Sequence, residues 1–208
     1  MKPFTIERNN YLTQKIQAFY HTDFGGTQLP NNPNYLYKLK NDPHHNWTDF
    51  RLDEAQQEFL RVLLNDLPEI LRQIKTTQLT VCVVPRAKAE KSYKLNQLLF
   101  KATVKIGISR LGNNFIDGTN YIVRHTNTKT THIRQPMEGY VNDGLAPYVG
   151  ITRATCHISN DVIGKDILLI DDIYTRTVNI DEDAIQSLID KGANSVTFYA
   201  IGKTIFNH

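Results

Sequence analysis

The chain has 208 residues, 40% of them hydrophobic and 22% charged, the composition of a globular domain large enough to bury a core without staples. Lys and Arg number 24 against 21 Asp and Glu, a net charge of +3 that is too mild for a nucleic-acid coat and suits a partner carrying a few phosphates. Two cysteines, Cys82 and Cys156, exclude a disulfide scaffold and a multi-Cys zinc module. No apolar run approaches the ~18 residues of a membrane span, and the first ten residues hold no apolar h-region, so no membrane role and a cytoplasmic location are expected.

Residues 1–50 are rich in Asn, Tyr, Phe and Pro, with Gly25-Gly26 and the turn-like stretch Pro30–Asn34. They predict loops with short strands or one short helix, an N-terminal extension or hood before an α/β domain at 51–208. Their aromatics (Tyr11, Phe19, Tyr20, Phe24, Tyr35, Tyr37) suit either a hood that stacks on an acceptor base or a small local core. From Thr48 the period turns helical: Leu60, Leu63, Leu64, Leu67, and then Leu67, Ile70, Leu71, Ile74. Pro68 is expected to end or kink this helix, with Asp66 as a cap. Leu79–Val84, stopped by Pro85, reads as a buried strand.

Helical spacing resumes at Leu95, Leu98, Leu99, Ala102 and Ile106, and Tyr121–Val123 predicts another strand. The polar stretch 125–150, with Gly139, Gly144 and Pro147, predicts a long mobile loop. Thr155–Ile158 reads as a short strand, Asn160–Gly164 as a turn, and Asp166–Asp171 as the clearest strand of the chain. A helix follows over Ile180–Lys191, closed by Gly192 at C′, and Ser195–Ile201 predicts the last strand. Strands alternating with helices predict a mainly parallel central sheet covered by helices on both faces. Such sheets bind ligands at the carboxyl ends of their strands, which directs attention to loops 85–91 and 171–180.

The chemistry concentrates at Ile167–Asn179. Four apolar residues bury a strand, Asp171 and Asp172 follow, and the hydroxyl-rich Thr175-Arg176-Thr177-Val178-Asn179 leads into a helix. A helix N-terminus presents unpaired N–H groups to an anion, most naturally phosphate. Carboxylates suit sugar hydroxyls, Mg²⁺ or developing positive charge. Together they describe a sugar phosphate. A structural alternative is a buried strand with a capping Asp. A P-loop fails for lack of glycine: Ser159 stands five residues before Gly164, and Thr197 five before Gly202.

This segment resembles the PRPP-binding motif of type I phosphoribosyltransferases, and the order of elements around it is similar to the competence-protein-F type of that family. Tyr37-Lys38-Leu39-Lys40 matches a KLK-like stretch, Val83-Val84-Pro85-Arg86-Ala87-Lys88 a strand ending in Val-Pro with a basic loop, Asn127–His132 a basic flexible loop, and Gly164-Lys165 the turn before the motif strand. The resemblance implies a Rossmann-like fold and an Mg²⁺-dependent glycosyltransferase that moves ribose 5-phosphate from PRPP to a nucleobase or amine nitrogen with release of pyrophosphate. It implies that Asp171 and Asp172 contact the ribose hydroxyls and, directly or through water, Mg²⁺. Thr175, Arg176, Thr177, Val178 and Asn179 would wrap the 5′-phosphate, Arg86, Ala87 and Lys88 the pyrophosphate, and Lys129 would ride a loop closing over the reacting centre.

The chain departs from the family pattern at Thr177, where Gly is usual, and at Asn179, where Thr or Ser is usual, while Arg176 adds a guanidinium able to grip phosphate. These departures motivate the competing reading, a non-catalytic PRPP- or nucleotide-binding regulator. The family's cysteine-rich N-terminal zinc element is missing. Elsewhere, His21, His44 and His45 read as surface-loop residues, His157 as a structural histidine, and Tyr174 as a base-stacking or sheet-packing residue. Asp181-Glu182-Asp183 read as partners of the helix dipole and Cys82 as inert core. The acceptor is not legible, and a homodimer is held as an open expectation.

Overall fold

The computed structural model describes residues 1–25, 28–42, 45–130, 142, 144, 150–151 and 154–205. A mixed α/β architecture surrounds a six-stranded sheet, ordered β1-β2-β8-β7-β3-β4. Its strands are β1 (Lys2–Ile6), β2 (Ile16–Phe24), β3 (Leu79–Val83), β4 (Phe115–Asp117), β7 (Asp166–Tyr174) and β8 (Ser195–Thr204). Only the β1–β2 pairing is antiparallel; every other pairing in this sheet is parallel. A separate two-stranded antiparallel ribbon joins β5 (Ile122–Arg124) to β6 (Cys156–Ile158).

The short strands and the one short helix expected in residues 1–50 are present, and the strands belong to the central sheet rather than to a separate hood. β1 and the nine-residue β2 are two of the sheet's strands, and β2 runs parallel to β8. The alternation that builds β2 is Ile16, Ala18 and Tyr20 toward one face with Phe19 toward the other, too short a pattern to stand out among the surrounding Asn and Pro. Short helix α1 (Tyr35–Lys40) then buries Tyr35, Leu36 and Leu39.

Helix α2 (Asp49–Ile74) is one continuous helix of 26 residues, capped by Thr48 Oγ1, which accepts from Arg51 N. Pro68 neither ends it nor is preceded by a capping Asp66. The same buried stripe runs through Phe59, Leu63, Leu67 and Ile70 on both sides of the proline. Burying those side chains at roughly 1.5–3 kcal/mol each outweighs the ~3 kcal/mol cost of an internal proline. Asp66 faces the core, where His21 Nδ1 lies 2.9 Å from Oδ2 and Tyr199 Oη donates to the same oxygen at 2.7 Å. His21 is therefore a β2 residue tied to α2, not a loop residue, and His44 lies outside the described residues.

Helix α3 (Leu99–Leu111) starts later than the leucine spacing predicts and buries a different face, Thr103, Val104, Gly107 and Ile108. Leu95 belongs to a separate 3₁₀ turn and is 88% exposed. The turn breaks the phase, and Gly107 sets the packing: a Cβ there would stand 3.3 Å from Leu63 Cδ1, so α3 lies close on α2. Helix α4 (Ile180–Asp190) ends as expected, with Gly192 at φ +100°. Of the stretch 125–150, only 125–130, 142, 144 and 150 are described. β5 does not join the central sheet, and His157 on β6 is exposed. Among the described residues no helix is long and apolar enough to cross a membrane.

Helices cover both faces, as the alternation predicts. Leu79, Val81, Val83, Leu168, Ile170, Tyr199 and Ile201 pack under α1, α2 and α3. Cys82, Ile167, Leu169, Phe198 and Ala200 pack under α4. Burial pushes the Cys82 thiol up to about 12, so it is an inert core group.

Candidate functional site

The parallel strands β2, β3, β7 and β8 place their carboxyl ends on one edge, and a cavity of about 590 Å³ opens there. That volume suits a small-molecule ligand. Asp171, Asp172, Thr175 and Val178 line it from β7 and its turn, Arg86, Ala87 and Lys88 from the loop after β3, and Lys129 from the segment after β5. Arg176, Thr177 and Asn179 do not line it. The strand also outruns its sequence limit. Both aspartates lie within β7, which continues to Tyr174.

Because side chains alternate along a strand, the two aspartates see opposite faces of the sheet. Asp172 faces α1, where Lys40 Nζ stands 2.7 Å from Oδ2. Burial alone would lower the Lys40 ammonium, but Asp172, with Asp171 and Asp42 behind it, raises it. Asp171 faces α4 and meets Asp181. Burial, then the neighbouring Asp172, pushes the Asp171 carboxyl up to about 7. Asp181 rises well above the carboxylate range from burial and from Asp171. Each of the two buried acids raises the other, because charging one disfavours charging its neighbour. Beyond Asp172 the alternation slips. Ile173 packs toward the α2 side and Tyr174 returns to the α4 side, while the β7–β8 register keeps one offset, with Asp171 opposite Ala200 and Ile173 opposite Gly202.

The first turn of α4 is more than a complement to its dipole. Asp181 is 4% exposed and its Oδ1 lacks a partner among the described residues; Glu182 is 1% exposed and accepts from Tyr174 Oη at 2.9 Å; Asp183 accepts from Ile151 N at 2.6 Å. Burial raises the carboxyls of Glu182 and Asp183 as well. Tyr174 is packed in the sheet, its ring against Phe4 and Phe198. Sequence reading assigned no site role to Lys40 or Asp181. For Asp181 a signal existed, because it precedes Ile185 and Leu188 by four and seven positions and so shares their buried face.

The basic loop is knitted into the fold. Arg86 Nη1 donates to Lys40 O and to Gln97 O, both at 2.6 Å, and Nη2 donates to Asp42 Oδ1 at 2.6 Å, while the guanidinium sits 4.4 Å over the Tyr93 ring. Three of its five N–H donors are thus committed. Lys88 is 6% exposed and its Nζ donates to Thr128 O at 3.1 Å. Ala87 O accepts from Thr128 N at 2.8 Å, which seats exposed Lys129 at the cavity rim. His132 lies outside the described residues.

In the turn after β7, Thr175 Oγ1 is 2.7 Å from Thr204 Oγ1, and Val178 N donates to Thr175 O at 3.0 Å. Asn179 occupies the N-cap position in the left-handed region at φ 60°, makes no side-chain cap bond, and accepts from Asn9 Nδ2 at 3.0 Å. Thr177 is not among the positive-φ residues. The left-handed position therefore falls at the asparagine, a residue type that tolerates it.

Among the described residues no group of three or more His, Cys, Asp or Glu could hold a metal ion. The donor set does fit Mg²⁺ shared with a substrate, because that ion binds through one or two carboxylates and completes its shell with phosphate and water oxygens. Asp171 and Asp172 supply hard oxygens at the cavity wall. No family model matches the chain, and no curated protein or solved structure matches it.

Proposed function

We propose that the chain is a type I phosphoribosyltransferase-like enzyme that transfers ribose 5-phosphate from PRPP to a nitrogen of a small acceptor, with release of pyrophosphate. The observation that carries this reading is the convergence of Asp171 and Asp172, the Arg86–Lys88 loop, Thr175 and Lys129 on one cavity at the carboxyl ends of parallel strands. The carboxylates accept from ribose hydroxyls, and Asp172 lies across the sheet edge from the basic loop. Breaking the C1′–oxygen bond leaves positive charge on the ring, which the acids stabilise, and negative charge on pyrophosphate, which the cations stabilise. Mg²⁺ bound with the donor would offset further charge on the leaving oxygens. The test is calorimetry with PRPP and Mg²⁺: wild type binds, and the Asp171→Asn/Asp172→Asn double variant loses at least about 100-fold in affinity, two charge-assisted hydrogen bonds' worth. Affinity that survives the double change refutes the site.

A second reading is a non-catalytic binder on the same scaffold. The commitment of Arg86 to Lys40, Gln97 and Asp42 favours it, as does a turn with no glycine. It requires ligand binding with no pyrophosphate release across a panel of bases and amines, and steady turnover with any acceptor removes it.

A further inference from the structure

We propose that Lys40 is a substrate-binding cation of this site: its ammonium takes the pyrophosphate group of the phosphoribosyl donor, and Asp172, its present partner, turns to the sugar hydroxyls. The inference rests on the phosphoribosyl reading and adds to it a residue outside the strand-turn-helix segment.

Among the described residues, the Lys and Arg side chains that border the cavity are Lys40, Arg86, Lys88, Lys101, Arg124 and Lys129. Most have structural duties. Arg86 is spent on two carbonyls and Asp42, Arg124 donates to Arg86 O at 2.7 Å and Gly150 O at 3.1 Å, Lys101 grips both oxygens of Glu90, and Lys88 is buried on Thr128 O. Lys129 stands exposed at the rim. Lys40 differs from all of them, because its partner is one of the two acids that the reaction assigns to the sugar. An ammonium has three N–H donors and the Asp172 bond takes one, so the same nitrogen can bridge that acid and a phosphate oxygen.

The protein also fixes where this ammonium stands. Lys40 is the last residue of α1, and Arg86 holds its backbone carbonyl at 2.6 Å while the same guanidinium grips Asp42 and Gln97. The expected pyrophosphate ligand Arg86 thus positions α1, and α1 delivers the cation. A donor with a pyrophosphate at C1′ and hydroxyls at C2′ and C3′ presents its anion and its hydroxyls side by side. A lysine and an aspartate 2.7 Å apart match that pair of groups.

The test measures binding of PRPP, inorganic pyrophosphate and ribose 5-phosphate by calorimetry in Mg²⁺ buffer, on wild type, Lys40→Met and Lys40→Arg, with thermal melts of each. Lys40→Met keeps the stem and removes the charge. It is expected to weaken PRPP and pyrophosphate by about 10- to 100-fold, the size of one charge-assisted hydrogen bond, and ribose 5-phosphate by less than about threefold. Lys40→Arg is expected to recover most of the loss, which a merely structural role would not produce. Equal losses for ribose 5-phosphate and PRPP, or unchanged PRPP affinity in Lys40→Met, overturn the inference while leaving the phosphoribosyl reading intact. Wild type that binds pyrophosphate through Lys40 but not PRPP removes that reading and keeps the cation. Wild type that binds none of the three removes both.

Discussion

Asp171 and Asp172 are the same residue type, one position apart on one strand, yet they occupy opposite electrostatic environments. Asp172 faces the α1 side and a lysine at 2.7 Å; Asp171 faces the α4 side and another acid. The period of a strand produces the contrast, since neighbouring residues point to opposite faces and meet side chains from different helices. One aspartate is paired with an ammonium, while the other lies against a second acid and has its carboxyl pushed up by burial. The two acids are therefore unequal before any ligand arrives.

The largest effects test whether the two faces are equally packed, so that only charge separates them. Leu169 and Ile170 are fully buried on β7, one under α4 and the other under α2. Leu169→Ala and Ile170→Ala should each destabilise the fold by roughly 2–5 kcal/mol in urea unfolding. Similar values assign the contrast to charge. A cost below about 1 kcal/mol on either face would mean that this face is loosely packed and that its aspartate responds to solvent rather than to its helix.

Asp171→Asn should produce the next largest effect, and with the opposite sign. The folded carboxyl sits at about 7, above the ~3.9 of an unfolded chain, so folding binds its proton more tightly. A raised acid costs stability as pH climbs from about 4 to about 7, and the penalty levels off above that window. The variant removes this penalty. Wild type and Asp171→Asn should have the same stability near pH 3.5, and by pH 8 the variant should be more stable by up to about 4 kcal/mol. Parallel stability curves across that range would mean that burial does not raise the Asp171 carboxyl.

Much of this frame was legible in the sequence because it rests on apolar runs. Leu79–Val83 and Ile167–Ile170 could only be buried strands, and Ile180–Gly192 carried both its stripe and its stop. β4 was not legible, because only Phe115 and Ile116 mark it and its place comes from pairing with β3. β2 was hidden by its polar neighbours, and the unbroken α2 by a proline whose cost only tertiary burial can offset. In the site, residue types and loops were legible and partners were not. Nothing in a linear chain sets Lys40 against Asp172 across 132 positions, or shows that Arg86 would be used to hold α1.

The smallest effects concern the turn that follows the two acids, and they ask whether the contrast belongs to the strand alone. The resembling family places glycine where this chain has Thr177, and such a glycine serves either a left-handed backbone or a close approach to phosphate. Here the left-handed residue is Asn179, at φ 60°, and Thr177 is exposed with no positive φ. Thr177→Gly therefore relieves no strain, and it frees the unfolded chain, so it should cost about 0.5–1 kcal/mol. Asn179→Gly should fall within about 0.5 kcal/mol of wild type, because the easier backbone is offset by greater unfolded entropy and by loss of the Asn9 hydrogen bond. Urea unfolding of both variants across pH checks the point. If the turn is independent of the acids, each curve keeps the wild-type pH dependence with a constant offset. A glycine at 177 that instead stabilises the protein would place the strained residue there, and the turn would have to be rebuilt around the family's pattern.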